Sequence, residues 1–239
     1  PFFVKDLMED LDLDFAVTYN GQYIFNKNRV LFTSPLSKSH LRQLITYAKK
    51  EGKEIALGTK DAMLGSKIMS FGLGSFSQRV SRFVPSMLTR TVSHSFNRMV
   101  SKIVPQKEED LLHLMNQPIY QVLMLMTPEE SDKTAADFKD LKLTRSNPFA
   151  ADVINGRAHR REAQGPMTIL YGFDLNQVMA FGDSDNDLEM LAGVGMSVAM
   201  GNGSSSVKEV AKHITTGNQQ DGIHKALEHF GVLASEKVF

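Results

Sequence analysis

Residues Val178–Leu191, VMAFGDSDNDLEML, place the tightest constraint on what this chain can fold into. An apolar strand, Val178–Phe181, runs into Gly182, which lets the chain turn, and Asp183 then stands at the strand's carboxyl end. In open α/β sheets ligands bind at that edge. Asp185, Asn186 and Asp187 follow, and the next helix begins. Carboxylates and an amide packed so closely suit a hard divalent cation. Mg²⁺ takes one or two carboxylates and fills its shell with water and substrate phosphate. The helix start adds backbone N–H groups that favour a phosphate.

Three plainer readings compete. Asp and Asn are common helix caps and turn formers, so any one of them can be structural. The alternation of Asp183, Asp185 and Asp187 suggests an EF-hand loop. That loop needs Gly at its sixth position and Glu at its twelfth, where this sequence has Leu188 and Val194, so it is rejected. The third reading, a polar loop and nothing more, ignores the coincidence of strand, glycine, acid cluster and helix.

From there the chain keeps a βα rhythm. A helix is expected over Asp187–Ala192, a strand over Met196–Met200, and helices over Ser206–Lys212 and Ile223–Phe230. Strands alternating with helices argue a parallel α/β layer. The first half reads differently. Phe2–Leu13 has helical spacing already under way at Pro1, with Phe3, Leu7 and Leu11 on one side, and this suggests a segment upstream. Phe15–Tyr19 and Gln22–Phe25 flank Asn20-Gly21, a strong hairpin signal. Ser37–Glu51 is a helix with Ser37 as N-cap and Gly52 beyond its end. Strands are expected at Glu54–Leu57, Tyr120–Met126, Leu141–Thr144 and Ala150–Ile154, with a helix over Glu108–Met115. Thr127-Pro-Glu-Glu130 opens a further helix with a capping box.

Lys and Arg together number 27, as do Asp and Glu, so no overall charge argues for a nucleic-acid or membrane partner. One stretch is locally basic: Lys67, Arg79, Arg82, Arg90, Arg98 and Lys102 stand with no acid between them. The plain reading is a solvated helical face; the sharper one is a surface for phosphorylated substrate, lipid head groups or nucleic acid. The absence of cysteine excludes disulfides, thiolate metal sites and a cysteine nucleophile. No apolar run approaches the roughly 20 residues of a membrane span, and the acidic start is unlike a signal peptide. A cytoplasmic protein is expected.

GDSDNDLEML resembles the fourth motif of the HAD (haloacid dehalogenase) superfamily, in the form typical of Cof-type phosphatases. Val198-Ala-Met-Gly-Asn202 resembles the family's following strand and turn, and Asn218–Gly222 its tail segment. Upstream, Thr18–Gly21 resembles the strand and Asn-Gly turn after the second motif, and Ser146–Gly156 the return from the cap. The resemblance implies a HAD-like, Rossmann-type parallel core formed by residues 1–33 and 156–239, with an inserted α+β cap over residues 34–155. It implies Mg²⁺-dependent hydrolysis of small phosphorylated metabolites such as sugar phosphates. In that chemistry an Asp attacks phosphorus, forming a phosphoaspartyl intermediate, and a second Asp shuttles the proton. By motif position Asp183 and Asp187 are the metal residues, Asp183 by ligation and Asp187 by orienting the loop or supporting the metal shell. Asn186 would hydrogen-bond the phosphate.

The sequence departs from the family pattern in three places. An apolar strand ending in DxDGT, which supplies nucleophile and acid/base, is not found in residues 1–239. Asp10-Leu-Asp12-Leu-Asp14 precedes its apolar strand and has no Gly-Thr after it, so no catalytic nucleophile is assigned. The second motif, a strand ending in Thr or Ser, is also missing. At the third motif's lysine the sequence has Arg157–Pro166. Arg160 falls on that position by one count and can hold a phosphate; Glu162 falls there by another and would repel it. Pro166 sits where a helix should run. The segment reads as locally scrambled, and His159 within it reads as exposed. Two functions therefore stand: a Mg²⁺-dependent phosphatase, or a non-catalytic remnant or binding protein that keeps the phosphate corner.

Overall fold

In the computed structural model residues 1–2, 4–66, 104–106, 113–147, 149–156, 172 and 174–233 are described. The basic run Lys67–Lys102, most of the helix expected over Glu108–Met115, and Arg157–Pro166 with His159, Arg160 and Glu162 lie outside them. By its internal contacts the chain divides into two units, Pro1–Ala163 and Gln164–Phe239.

The first unit is built around a strand that is apolar for most of its length. β7 (Gln121–Leu125) is buried at every position, which demands neighbours on both edges and cover for its faces. It pairs antiparallel with β4 (Ile55–Gly58) and with β9 (Ala150–Asn155). The sheet continues outward to β5 (Met63–Ser66), β6 (Val104–Gln106) and β8 (Leu141–Asn147), in the order β6-β5-β4-β7-β9-β8. Only the β5–β6 pair is parallel. Helix α2 (Lys38–Lys50) lays Leu41, Leu44 and Ala48 into a core with Ile55, Leu57, Val122, Met124 and Val153. Its start is fixed as read from sequence: the Ser37 hydroxyl accepts from the His40 N–H at 3.1 Å. The capping box of α3 (Pro128–Asp137) also forms, with Thr127 and Glu130 each accepting the other's backbone N–H. The Tyr47 hydroxyl meets that of Thr134 at 2.8 Å and joins the two helices.

The N-terminal part contributes α1 (Lys5–Asp10) and a small antiparallel sheet, β1 (Phe15–Thr18), β2 (Tyr23–Asn26) and β3 (Val30–Thr33). The helix is shorter than its spacing predicts, and Met8 is its buried residue, whereas Leu7 and Leu11 are exposed. Asn20 and Gly21 take the positive φ that a type I′ turn requires, closed by Gln22 N–H to Tyr19 C=O at 3.1 Å. Tyr19 also has φ of 53°, a costly conformation for a residue with a Cβ. Its ring holds it there: the hydroxyl donates to the Thr59 carbonyl at 2.7 Å and the ring stacks on Tyr120. Gly58 leaves room for that ring, because a Cβ there would lie 2.7 Å from Tyr19 Cε1. Asn20 Nδ2 donates to Gln121 Oε1 at 3.0 Å and Asp152 Oδ2 at 3.3 Å, so the turn is tied to β7 and β9.

The second unit is the expected parallel α/β layer. β10 (Met179–Gly182), β11 (Met196–Ala199) and β12 (His213–Ile214) are parallel and adjacent in that order. Helices α4 (Leu188–Gly193) and α5 (Ser205–Val210) make the crossovers, and α6 (Gly222–His229) follows. Leu191, Val194 and Val207 pack on Ala180 and Ala199. Among the described residues no helix is long and apolar enough to cross a membrane.

Candidate metal and phosphate corner

The corner lies at the carboxyl ends of β10 and β11, where Gly182 pairs with Ala199. Beyond Gly182 the chain makes a short 3-10 turn, Asp185–Asp187, before α4 begins. The turn is held by one carboxylate. Asp187 Oδ2 accepts the N–H of Asp183 at 2.9 Å and that of Ser184 at 3.1 Å. Gly182 is needed for steric reasons: a Cβ there would stand 2.7 Å from Asp187 Cβ and 3.0 Å from Leu191 Cδ1.

Asp183 is exposed at the tip of this turn. Its Oδ1 accepts from the Ser184 hydroxyl at 3.1 Å and its Oδ2 from Asn202 Nδ2 at 3.4 Å. Among the described residues it forms no ion pair. The loop after β11 wraps the same residue. Ser204 N–H donates to the Asp183 carbonyl at 3.0 Å, and the Ser204 hydroxyl donates to Asp185 Oδ1 at 2.9 Å. Gly203 lets this loop come close, since a Cβ there would lie 3.1 Å from Asp183 Cα. Asn186 Oδ1 is buried and has no hydrogen-bond partner among the described residues. A native structure rarely leaves such an atom unmet without a reason.

These features fit a divalent cation in part. One exposed carboxylate, fixed by neutral donors and without a counter-charge among the described residues, matches the sparse protein shell Mg²⁺ prefers. No group of three His, Cys, Asp or Glu able to hold a metal forms among the described residues, so an all-protein cage is not built there. The structure brings Asp183, Asn186 and Asp187 together; Arg160 lies outside the described residues.

Sequence reasoning reached the acidic turn but not Asn202 and Ser204 as its supports. The signal was available in the topology. In a parallel βαβ unit the loops after neighbouring strands emerge side by side, so residues just past Val198–Met200 had to meet those just past Phe181.

The model of the haloacid dehalogenase-like hydrolase family matches residues 1–227. The chain belongs to that family. Relatives match nearly the whole of this chain. The Bacillus subtilis (strain 168) protein named "Putative phosphatase YkrA" is 28% identical over 233 residues, covering 98% of this chain and 82% of that protein. A solved structure from Geobacillus kaustophilus HTA426 is 28% identical with a TM-score of 0.70, over 98% of this chain and 82% of its own. A HAD subclass IIB sugar phosphatase superposes with a TM-score of 0.75 at 23% identity, over 96% of this chain and 80% of its own, which shows the shared HAD fold.

Proposed function

We propose that this chain carries the metal and phosphate corner of a Mg²⁺-dependent phosphohydrolase acting on small phosphorylated metabolites such as sugar phosphates, with residues 34–155 as its cap domain. The observation that supports it most is Asp183: an exposed carboxylate at the carboxyl end of a parallel strand, held by Ser184 and Asn202 and without a counter-charge among the described residues. Asp183 would ligate the metal. Asp187 would keep the loop in shape from behind and support the metal shell through the two N–H groups it accepts. Asn186 would hydrogen-bond the phosphate, and Arg160 would hold a further phosphate oxygen. When bound, Mg²⁺ supplies charge neutralisation to the phosphoryl group. The naming of YkrA as a phosphatase and the subclass IIB fold agree with this reading. The expected setting is the cytoplasm.

A second reading rests on one specific observation, the lack of a DxDGT strand within residues 1–239. Under it the chain binds metal and phosphate and does not form a phosphoenzyme. Turnover of p-nitrophenyl phosphate separates the two. The enzyme reading predicts Mg²⁺-dependent hydrolysis by the parent protein, lost about 100-fold in Asp183→Ala, the scale of deleting a metal-supporting contact. A parent protein that shows no Mg²⁺-dependent turnover supports the binding protein and overturns the enzyme.

A further inference from the structure

The loop after β11 does more than approach the acidic turn; its Asn202 reaches in two directions. Nδ2 donates to Asp183 Oδ2 at 3.4 Å, and Oδ1 accepts the backbone N–H of Asn218 at 2.9 Å. An asparagine amide can point either end at a neighbour, and its hydrogen bonds decide which. Here a backbone N–H can only donate, so it must face Oδ1. The NH₂ end is thereby turned toward Asp183. Asn218 opens a 3-10 turn, Asn218–Gln220, whose lead residue Gly217 is extended (φ −67°, ψ 165°). That turn is anchored in its turn: Gly201 N–H donates to the Thr216 carbonyl at 3.2 Å, and a Cβ on Gly201 would lie 2.8 Å from the Thr215 carbonyl oxygen.

We infer that Asn202 is a positioning residue for the metal corner, orienting the Asp183 carboxylate while the Asn218 N–H in the segment before α6 fixes which way the Asn202 amide faces. Resting on the metal reading above, this gives residues 217–222 a task. They set the direction of one hydrogen bond onto the metal carboxylate, two contacts away. Ser184 holds the other oxygen, so with Asn202 in place the carboxylate has one rotational setting. Without it, one oxygen is tethered and the other is free to swing. Partners that orient a metal ligand in this way typically change metal affinity about 10- to 100-fold when removed.

Two variants test the chain of contacts. Asn202→Ala removes the bridge itself. Asn218→Pro removes the N–H that sets the bridge, together with an exposed side chain, at a site where proline is tolerated. It is the first residue of a helical turn, and the residue before it is already extended. In ¹⁵N spectra the Asn202 side-chain NH₂ pair, identified by its loss in Asn202→Ala, is expected to shift in Asp183→Ala and in Asn218→Pro. Calorimetric Mg²⁺ titration is expected to show a dissociation constant raised about tenfold in both Asn202→Ala and Asn218→Pro. An NH₂ pair unmoved by Asp183→Ala, or Mg²⁺ binding within twofold of the parent in both variants, overturns the inference. If the parent protein takes up no Mg²⁺, the metal reading falls, and the NH₂ shifts alone decide whether Asn202 orients Asp183.

Discussion

Gly182→Ala is expected to cost on the order of 3 kcal/mol of stability and to disable the acidic corner at the same time. The added methyl would meet Asp187 Cβ at 2.7 Å, Asp187 Cγ at 3.1 Å and Leu191 Cδ1 at 3.0 Å, so it presses on the turn and on α4 together. None of these can yield freely. Leu191 is 1% exposed in the core of the second unit, and Asp187 is tethered by the N–H groups of Asp183 and Ser184. Displacing Asp187 leaves two backbone donors to find water, each worth about 1 kcal/mol or more if they do not. Thermal melting should therefore fall by roughly 10 °C for the transition that includes residues 164–239. The double variant Gly182→Ala/Asp187→Gly removes the Asp187 atoms from the conflict and leaves Leu191 Cδ1. It should melt well above the sum of the two single effects, as contacting residues do. Strict additivity would show that Gly182 and Asp187 do not oppose each other.

In the first unit the largest expected effect is on pH. Asp152 on β9 accepts from Gln121 Nε2 and Asn20 Nδ2. Burial pushes its carboxyl up from 3.8 to about 6, against the Asn20 hydrogen bond and the charge of Arg145, both of which favour ionisation. Below the unfolded carboxyl's pKa both states keep the proton, and the protonated Asp152 adds its full stability. As pH rises from about 4 to 6 the unfolded chain releases its proton first, and that contribution drains away. The total is on the order of 3 kcal/mol. Asp152→Asn cannot titrate, so the difference in unfolding free energy between parent and variant should change across pH 4 to 6 and flatten above 6. A difference independent of pH would mean that Asp152 titrates alike in both states. The turn carrying Asn20 hangs on the same group, and the Asn20 amide resonances should shift with a midpoint near pH 6, where the folded carboxyl titrates.

The two units were legible in the sequence to different degrees, for physical reasons. Local signals survived folding almost unchanged: Ser37 caps α2, Thr127 and Glu130 form their box, and Asn20-Gly21 makes the turn. Each is a contact within four residues, so the sequence contains both partners. The apolar runs of β7 and β10 were equally plain. What escaped was short or half-exposed. β3 (VLFT) has exposed ends, β5 (MLGS) carries a glycine, and β12 is two residues long, so none has a periodic pattern to read. The helix at the N-terminus buries Met8 and leaves Leu7 and Leu11 in solvent, because its packing partners Tyr23, Phe25 and Tyr120 sit beneath Met8. At the corner, the acidic turn was plain from the sequence, and the resemblance to the HAD fourth motif singled out Asp183, Asn186 and Asp187 within it. Asn202 lies 19 residues from Asp183 in sequence and meets it only because β10 and β11 are parallel neighbours. Chemistry carried across strands is the part that a linear motif does not display.

The central claim is that the turn Asp183–Asp187 binds a divalent cation through Asp183. Mn²⁺ occupies Mg²⁺-type oxygen sites, and its unpaired electrons broaden the resonances of nearby nuclei. Substoichiometric Mn²⁺ added to the ¹⁵N-labelled protein is therefore expected to erase the amide signals of residues 182–187 and 202–204 first. Excess Mg²⁺ should restore them, and Asp183→Ala should abolish the effect. Broadening centred elsewhere in the chain, or broadening at the turn that persists in Asp183→Ala, would contradict the assignment.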